Sequence, residues 1–242
     1  MAIYAIGDLH LPGHQEKPMN VFGDHWDRHF DVIRENWLSM VSPEDVVLIP
    51  GDISWAMQLE EARDDLMQIA ALPGRKLLLR GNHDYWWNSI SKVRALLPEN
   101  MYAIQNDALA LDGVVYCGTR GWNIPGEGQP ADPQDVKIFQ RELLRLEMSL
   151  QQAEKLAGGS LPVVVMMHYP PLYKDLLSTP FTEILERYGA RTVVFGHLHG
   201  AGIRFGLEGL VRGIEYHLVS CDALHFSLRR IDESVFFPKD KI

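Results

Sequence analysis

The sequence of 242 residues is poor in cysteine and lacks a long hydrophobic run. Its two cysteines, Cys117 and Cys221, lie in apolar, strand-like stretches, so we interpret them as buried free thiols and not as a disulfide scaffold. No apolar run approaches the ~20 residues that cross a bilayer. Residues 1–8 also lack the basic and apolar regions of a signal peptide. These absences predict a cytoplasmic protein that does not contact membranes.

Positive charge is also scarce. The chain has 23 Lys and Arg against 32 Asp and Glu, a formal net charge of -9, and its basic residues form no cluster. Because an acidic surface repels nucleic-acid backbones, we do not expect a nucleic-acid partner. The chain does contain 46% hydrophobic residues, enough for a sizeable core, and its length suits one domain over residues 1–242.

Short apolar runs alternate with longer amphipathic stretches. The runs are short and rich in β-branched residues, which predicts buried strands at Ile3–Ile6, Val46–Ile49, Lys76–Leu79, Val163–Met167 and Thr192–Phe195. The amphipathic stretches predict helices at His25–Val41, Leu59–Leu72, Asn88–Leu97 and Pro133–Ala157. Asp132 is a suitable cap for the last helix, and Gly158-Gly159 ends it.

Further short strands joined by turns are predicted at Tyr102–Leu111, Val114–Gly118, Leu210–Ile214, Tyr216–Cys221 and Leu224–Ile231. The early β-α-β order followed by hairpins indicates an α/β fold with two sheets, the second partly antiparallel. The Gly- and Pro-rich stretch Gly121–Pro133 is interpreted as a loop inside the domain.

Each of the five buried runs leads to residues that can bind a metal ion. In chain order these residues are Asp8 and His10, Asp52, Asn82, His168, and His197 and His199. Because ligands of open α/β sheets bind beyond the carboxyl ends of the strands, we expect these side chains to share one site. Gly precedes the polar residue after four of the five runs, where it permits a sharp turn close to a ligand.

The donor types in this set indicate which metals the site takes. Carboxylate, imidazole and amide oxygen together suit divalent transition metals. Magnesium and calcium prefer shells of oxygen alone, so manganese, iron or zinc fit better, and we favour manganese. Seven ligand-type residues exceed what a single ion needs, and a carboxylate can bridge two ions. The sequence therefore predicts two divalent ions.

The complete blocks are Asp8-Leu9-His10, Gly51-Asp52, Gly81-Asn82-His83-Asp84, His168 and Gly196-His197-Leu198-His199. In this order they resemble the calcineurin-like metallophosphoesterase superfamily. The resemblance implies two packed mixed β-sheets flanked by helices, a four-layer α/β/β/α sandwich. It also implies two sets of ligands bridged by Asp52: Asp8, His10 and His199 on one ion, and Asn82, His168 and His197 on the other.

The activity implied by the resemblance is hydrolysis of a small phosphoester by a hydroxide that bridges the two metal ions, with His83 as the acid for the leaving group. Asp84 either orients His83 or satisfies backbone donors of its own turn. Gly51-Asp52 continues as Ile53-Ser54 and not as the Arg-Gly of the superfamily's protein serine/threonine phosphatases, which argues against a phosphoprotein substrate.

Three alternatives stay open at this point. A phosphodiesterase is favoured over a phosphomonoesterase, because His83 supplies the leaving-group acid and no cap domain is recognisable. A metal-binding scaffold that has lost catalysis is the alternative from another class. Such a scaffold should show replaced ligands, and none is replaced here. The residues indicate neither the physiological substrate nor an oligomeric state.

Candidate substrate contacts flank the blocks. Tyr85, in Tyr85-Trp86-Trp87, could stack on a flat group, and Arg120 could clamp a phosphate. The competing interpretations are helix packing for the aromatic residues and a surface salt bridge for Arg120. The polar loop Leu11–Gly23 is either a flap, with Lys17 or Asn20 on the substrate, or an ordinary loop. Five histidines match no block. His14, His25 and His29 are interpreted as surface or partly buried residues, whereas His217 and His225 lie in strand-like runs and are interpreted as hydrogen-bonded core histidines.

Overall fold

The computed structural model describes residues 1–125 and 132–231, and its strands form two sheets. In chain order the strands are β1 (Ile3–Ala5), β2 (Val46–Pro50), β3 (Arg75–Leu79), β4 (Met101–Ile104), β5 (Ala108–Leu111), β6 (Val114–Thr119), β7 (Val163–Met167), β8 (Thr192–Phe195), β9 (Gly209–Val211), β10 (Ile214–Leu218) and β11 (Arg229–Ile231). The order is β11-β1-β2-β3-β4 in the first sheet and β5-β6-β7-β8-β10-β9 in the second.

Both sheets are mixed, as predicted. Parallel pairs join β1 through β4 in the first sheet and β6, β7, β8 and β10 in the second. Antiparallel pairs occur at the edges, where β11 joins β1, β5 joins β6 and β9 joins β10. Most inner strands thus have their carboxyl ends on the same side, which is where the chain places its polar blocks.

The helices are α1 (His29–Met40), α2 (Leu59–Ala70), α3 (Ile90–Leu96), α4 (Pro133–Ala157) and α5 (Pro180–Arg187). Short 3-10 turns occupy Met19–Phe22, Asp24–Trp26 and Gly200–Phe205. None of the helices within residues 1–125 and 132–231, α4 included, combines the length and the apolar composition that crossing a membrane requires.

Three layers of apolar contact hold the sandwich together. In β2, Val47 and Ile49 pack with α1, α2 and α3, whereas Leu48 faces the second sheet. This alternation follows from the two-residue period of a strand, and burial of both faces explains why the strands are continuous hydrophobic runs. The second sheet meets α4 and α5 on its outer face. The predicted four-layer arrangement is confirmed.

Several predicted bounds need correction. Tyr102–Leu111, predicted as a strand, is two strands in different sheets, β4 and β5. The chain crosses between the sheets at residues 105–107, where Asn106 has a left-handed φ of 60° and the Asp107 carboxylate accepts the Gln105 N–H at 2.9 Å. A side chain that accepts a neighbouring backbone N–H in this way competes with strand pairing.

The predicted strands near the end of the described chain are also shifted. The turn between β9 and β10 falls at Arg212-Gly213, so Leu210–Ile214 spans a turn, and β10 begins before Tyr216. Leu224–Ile231 is a strand only over β11, because His225 and Phe226 both take left-handed φ angles, of 52° and 60°.

The helix predictions were more accurate. The helix predicted over His25–Val41 begins only at His29, since Arg28 is left-handed with a φ of 51°. Pro133–Ala157 is confirmed as α4, with the Asp132 carboxylate accepting the Gln134 N–H at 2.7 Å and Gly158 left-handed at its end. Of the predicted loop Gly121–Pro133, residues 126–131 lie outside the described residues.

Candidate metal centre

The polar blocks meet where the ends of the two sheets approach each other. After β1 the chain leaves the first sheet and pairs Gly7 with Ser220, just beyond β10 of the second sheet. The Gly7 N–H donates to the carbonyl of Val219 at 2.6 Å. Blocks that follow β1, β2 and β3 therefore face blocks that follow β7 and β8.

The seven predicted ligands lie together in two adjacent groups. One atom each of Asp8, His10 and His199 lie within 4.8 Å of one another, and the same holds for Asp52, His168 and His197. The Asn82 Oδ1 is 2.6 Å from His168 Nε2 and 3.0 Å from His197 Nδ1, so it adjoins the second group.

Asp52 lies between the two groups. Its Oδ2 is 3.6 Å from His168 Nε2 and 3.9 Å from His10 Nε2. Its Oδ1 accepts the backbone N–H of His83 at 2.8 Å. One oxygen of the carboxylate is therefore tied to the backbone, and the other faces histidines of both groups.

This donor set fits divalent cations. The Nε2 atoms of His10 and His199 are only 3.2 Å apart, and lone pairs at that separation repel unless a proton or a cation lies between them. Asp8 and His168 are completely buried and Asp52 almost so. Buried carboxylates and imidazoles are costly unless they are paired or coordinate metals. The mixture of carboxylate, imidazole and amide oxygen suits a transition metal.

The pKa values show how closely these groups interact. Burial and the neighbouring Asp8 carboxylate raise the pKa of Asp52 to about 8. Burial and the adjacent His168 lower the pKa of His197 to about 3, so that its ring is a neutral donor at pH 7. Burial lowers the pKa of His199, but the carboxylates of Asp8 and Asp222 outweigh it and raise that pKa to about 10. Two dications would offset the repulsion between the carboxylates.

The backbone around the ligands is tightly constrained. Four ligands have left-handed φ angles: Asp8 at 58°, His10 at 46°, Asp52 at 51° and His197 at 71°. A Cβ on Gly81 would collide with the Asp52 carboxylate, and one on Gly196 with the Asp8 carboxylate. These two glycines thus allow the backbone to approach the carboxylates, and the His197 N–H reaches Asp8 Oδ2 at 3.0 Å.

A family model described as calcineurin-like phosphoesterase matches residues 1–201, which include both groups of ligands. The chain belongs to the calcineurin-like phosphoesterase family. Members hydrolyse phosphoesters and use divalent metals, and the residue groups described above can bind such ions. No curated protein matches the chain.

Two solved structures, with TM-scores above 0.5, share the fold of this chain. The phosphopantetheinyl hydrolase from Mycobacterium tuberculosis is 16% identical with a TM-score of 0.56, covering 100% of this chain and 97% of that chain. A protein from Thermus thermophilus is 11% identical with a TM-score of 0.51, covering 95% of this chain and 97% of that chain. A protein of unknown function from Aquifex aeolicus is 21% identical with a TM-score of 0.49, covering 95% of each chain.

The Asp84 carboxylate is hydrogen-bonded mainly to backbone N–H groups. Its buried carboxylate accepts the N–H groups of Gly81 at 2.7 Å, Ile53 at 2.9 Å and Ser54 at 3.2 Å. It also accepts the indole N–H of Trp86 at 3.0 Å. Within the described residues it makes no hydrogen bond to the His83 ring. Of the two interpretations from sequence, these contacts match the satisfaction of backbone donors in the turn.

The His83 ring lies beside the two groups, next to aromatic residues. Its centre is 4.5 Å from that of Trp55 and 5.9 Å from that of His10. Its Nδ1 is buried without a hydrogen-bond partner among the described residues. Burial and the neighbouring His168 lower the pKa of His83 to about 4, so the ring is neutral at pH 7.

The sequence prediction missed Asp222. This buried carboxylate accepts a hydrogen bond from His199 Nδ1 at 3.0 Å and another from the Gly200 N–H at 2.8 Å. With Nδ1 held as the donor, Nε2 of His199 points toward Asp8 Oδ1 at 3.4 Å. The signal was available, because Asp222 directly follows the predicted strand Tyr216–Cys221, as the ligands follow theirs.

Of the predicted substrate contacts, Tyr85 stays near the site and Arg120 lies in a different cavity. Tyr85 is exposed, with its ring centre 6.1 Å from that of His83. Trp86 and Trp87 are fully buried in the core, which matches the packing interpretation.

The Arg120 guanidinium lies 4.7 Å over the Trp122 ring and 3.7 Å from buried Glu142. The ion pair is thus partly buried and not a surface pair. The cavity that Arg120 lines is shared with Arg80, Arg141 and Arg145. Contact of Tyr85 or Arg120 with substrate stays a prediction.

Proposed function

We propose that this protein is a binuclear, divalent-metal-dependent hydrolase of a small phosphoester. The observation that carries the proposal is the pair of adjacent ligand groups, each within 4.8 Å, with Asp52 between them. Asp8, His10 and His199 would hold one ion, and Asn82, His168 and His197 the other. Such ions, with manganese favoured, supply the Lewis acidity that activates water and polarises a phosphoryl group.

His83 is the residue proposed to serve the leaving group. It follows Asn82 directly in the chain, and its ring lies outside both ligand groups, 5.9 Å from the ring of His10. A neutral imidazole offers one N–H, which can donate to the leaving oxygen as negative charge develops there. Asp84 supports this role indirectly, because it fixes the turn that carries His83.

A phosphodiester is the favoured substrate, and a phosphomonoester is the alternative. The printed activity of the Mycobacterium tuberculosis neighbour adds a phosphopantetheine ester to the compounds worth testing. Nucleic acid is not an expected substrate, because the chain carries a net charge of -9. We expect the enzyme to work in the cytoplasm.

The test is a metal-dependence assay. Protein stripped of metal and reloaded with manganese, iron or zinc is assayed with p-nitrophenyl phosphate and bis-p-nitrophenyl phosphate in parallel. We expect turnover with manganese, faster on the diester. Asp52→Asn should abolish it, and His83→Ala should lower it by ~10²–10⁴-fold. Asp64→Asn, at an exposed carboxylate, is the matched control and should leave turnover unchanged.

The outcomes separate the alternatives. Faster hydrolysis of the monoester would contradict the phosphodiesterase and favour a phosphomonoesterase. Manganese binding without turnover of any ester, with all three metals tried, would contradict the hydrolase and favour a metal-binding scaffold. Equal turnover by Asp52→Asn and the intact protein would contradict the binuclear centre.

A further inference from the structure

A cavity of about 200 Å³ adjoins the candidate metal centre on the side of the first ligand group. We call it the apolar pocket, and its lining residues are Met19, Phe22, Trp26, Trp55, His10, His83 and His199. Apart from the three histidines, every lining side chain is hydrophobic. The pocket therefore places hydrocarbon directly beside groups that are proposed to act on a phosphoester.

The walls of the apolar pocket are held in place by aromatic contacts. The Trp55 ring stacks on His10, with centres 4.9 Å apart and planes 19° apart. Its indole N–H donates to Met19 Sδ at 3.4 Å, so its single polar atom is occupied. Trp26 is almost fully buried and packs edge-on against His199 at 5.7 Å. The Lys17 ammonium lies 4.3 Å over the Trp55 ring, at the edge of the pocket. Apart from the three histidines, the lining residues offer aromatic and aliphatic surface, which suits an apolar group better than a sugar or a peptide.

The rim of the apolar pocket exposes hydrophobic side chains to water. Phe22 is 61% exposed and the neighbouring Val21 is 72% exposed, both on the 3-10 turn that ends the loop Leu11–Gly23. When a ligand covers exposed apolar side chains beside a cavity, their removal from water favours binding. The loop thus contributes Met19 and Phe22 to the pocket.

We infer that the apolar pocket binds an aromatic group esterified to the phosphate of the substrate. This inference rests on the proposed function and narrows the substrate class. Pockets for whole drug-sized ligands measure ~300–1,000 Å³, so a smaller cavity suits a single ring system. Because His83 lines the pocket, the aromatic alcohol is the group that departs. Water adds across the P–O bond, the phosphorus keeps the new oxygen, and the alcohol leaves with a proton.

The first test measures binding and not turnover. Benzylphosphonate and methylphosphonate, which lack the P–O–C bond, are titrated calorimetrically into the manganese-loaded protein. We expect the benzyl compound to bind ~10-fold or more tightly, as burial of one ring predicts. Phe22→Ala should remove most of that preference while leaving methylphosphonate binding unchanged. Phe205→Ala, at another exposed phenylalanine that does not line the pocket, should change neither affinity.

The second test compares kcat/KM for benzyl methyl phosphate and ethyl methyl phosphate, and for benzyl phosphate and ethyl phosphate if the monoester is the better substrate. We expect the benzyl ester to react faster and Phe22→Ala to reduce the difference. Equal phosphonate affinities, or no binding of either phosphonate by protein that hydrolyses bis-p-nitrophenyl phosphate or p-nitrophenyl phosphate, would contradict the pocket inference and leave the hydrolase proposal standing. A clear preference for benzylphosphonate without turnover of any ester would support the pocket and contradict the proposed hydrolase.

Discussion

At the residue scale, Asp222 determines which nitrogen of His199 is free to bind a metal ion. The carboxylate accepts from Nδ1 at 3.0 Å, so Nε2, which faces Asp8, is the nitrogen that gives up its proton when a metal ion binds. We predict that Asp222→Asn lowers manganese affinity by ~10–100-fold, because an amide holds the ring less firmly and makes it less basic. Titration calorimetry with manganese measures the change.

The control for this prediction is Asp175→Asn, at an exposed position. Unchanged manganese affinity in Asp222→Asn would mean that Asp222 serves only backbone N–H groups, those of Gly200 at 2.8 Å and Ala223 at 3.0 Å.

Lys76 is a second residue whose burial has a measurable consequence. Its side chain is fully buried in β3, and Nζ donates to the carbonyls of Ala70, at 3.2 Å, and Leu72, at the end of α2. Burial lowers the pKa of Lys76 from 10.5 to about 8. Between these values the unfolded chain binds more protons than the folded one, so this residue's contribution to stability rises with pH in that window.

Urea unfolding of the intact protein and of Lys76→Met at several pH values tests this prediction. The unfolding free energy of the intact protein minus that of the variant should rise by about 1–2 kcal/mol from about pH 7.5 to about pH 9.5. Lys92→Met, at an exposed lysine, should show no such trend against the intact protein. A flat or falling difference for Lys76→Met would show that the two carbonyls compensate the charge fully.

Single residues also show what sequence can and cannot predict. The seven ligands were predictable because each follows a hydrophobic run, and strand ends meet at one edge of a sheet. Asp222 follows such a run as well, but it lies outside the family blocks and so was not considered. The contacts of Asp84 depend on which N–H groups the fold brings near, and no local pattern contains that information.

At the scale of elements, the start of α5 depends on one hydroxyl group. Thr179 Oγ1 accepts the Thr182 N–H at 3.1 Å and donates to the carbonyl of Pro171 at 2.6 Å. Thr179→Ala should lower the unfolding free energy by about 1–3 kcal/mol, since it removes a cap and leaves a buried carbonyl without a donor. Urea unfolding at constant m-value measures the loss.

Thr179→Ser is the matched control and should recover most of that stability, because it keeps the hydroxyl. Equal losses in the serine and alanine variants would instead assign the effect to packing of the Thr179 methyl group, which is buried.

Elements differed in how well the sequence predicted them. α4 was predicted to the residue, because capping and period are local signals. The crossing between β4 and β5 was not predicted, because both strands are apolar and the strands with which they pair cannot be identified from the local sequence. β4 pairs with β3 and β5 with β6, and this pairing assigns them to different sheets. The start of α1 depends on the left-handed Arg28, which the hydrophobic pattern does not reveal.

At the scale of the whole molecule, the candidate metal centre joins the two sheets. Asp8, Asp52 and Asn82 follow strands of the first sheet, whereas His168 and His197 follow strands of the second. Cations bound between them should therefore stabilise the folded chain as a unit. At a free concentration 100 times Kd, each ion contributes ~2.7 kcal/mol, which for a domain of this size is a rise in Tm of ~5–10 °C.

Thermal unfolding in excess manganese and in a chelator measures this difference. In Asp52→Asn the difference in Tm between manganese and chelator should be smaller, because the variant changes the carboxylate between the two ligand groups. Identical melting curves under both conditions would contradict metal binding by the folded chain. The two-sheet architecture itself was predicted from the order of the elements, but the meeting of the sheet ends through Gly7 and Ser220 is a long-range contact that the sequence did not reveal.

The left-handed backbone of Asp8, His10, Asp52 and His197 limits how this centre can be transferred in protein design. Each such residue costs about 1–3 kcal/mol unless its surroundings enforce the conformation. Grafting the seven side chains onto regular strand ends of another sandwich would give them extended backbones and point them elsewhere. The smallest unit worth transplanting is therefore a set of strand-to-loop segments, each carried over with its turn and, in the four that have one, with its glycine.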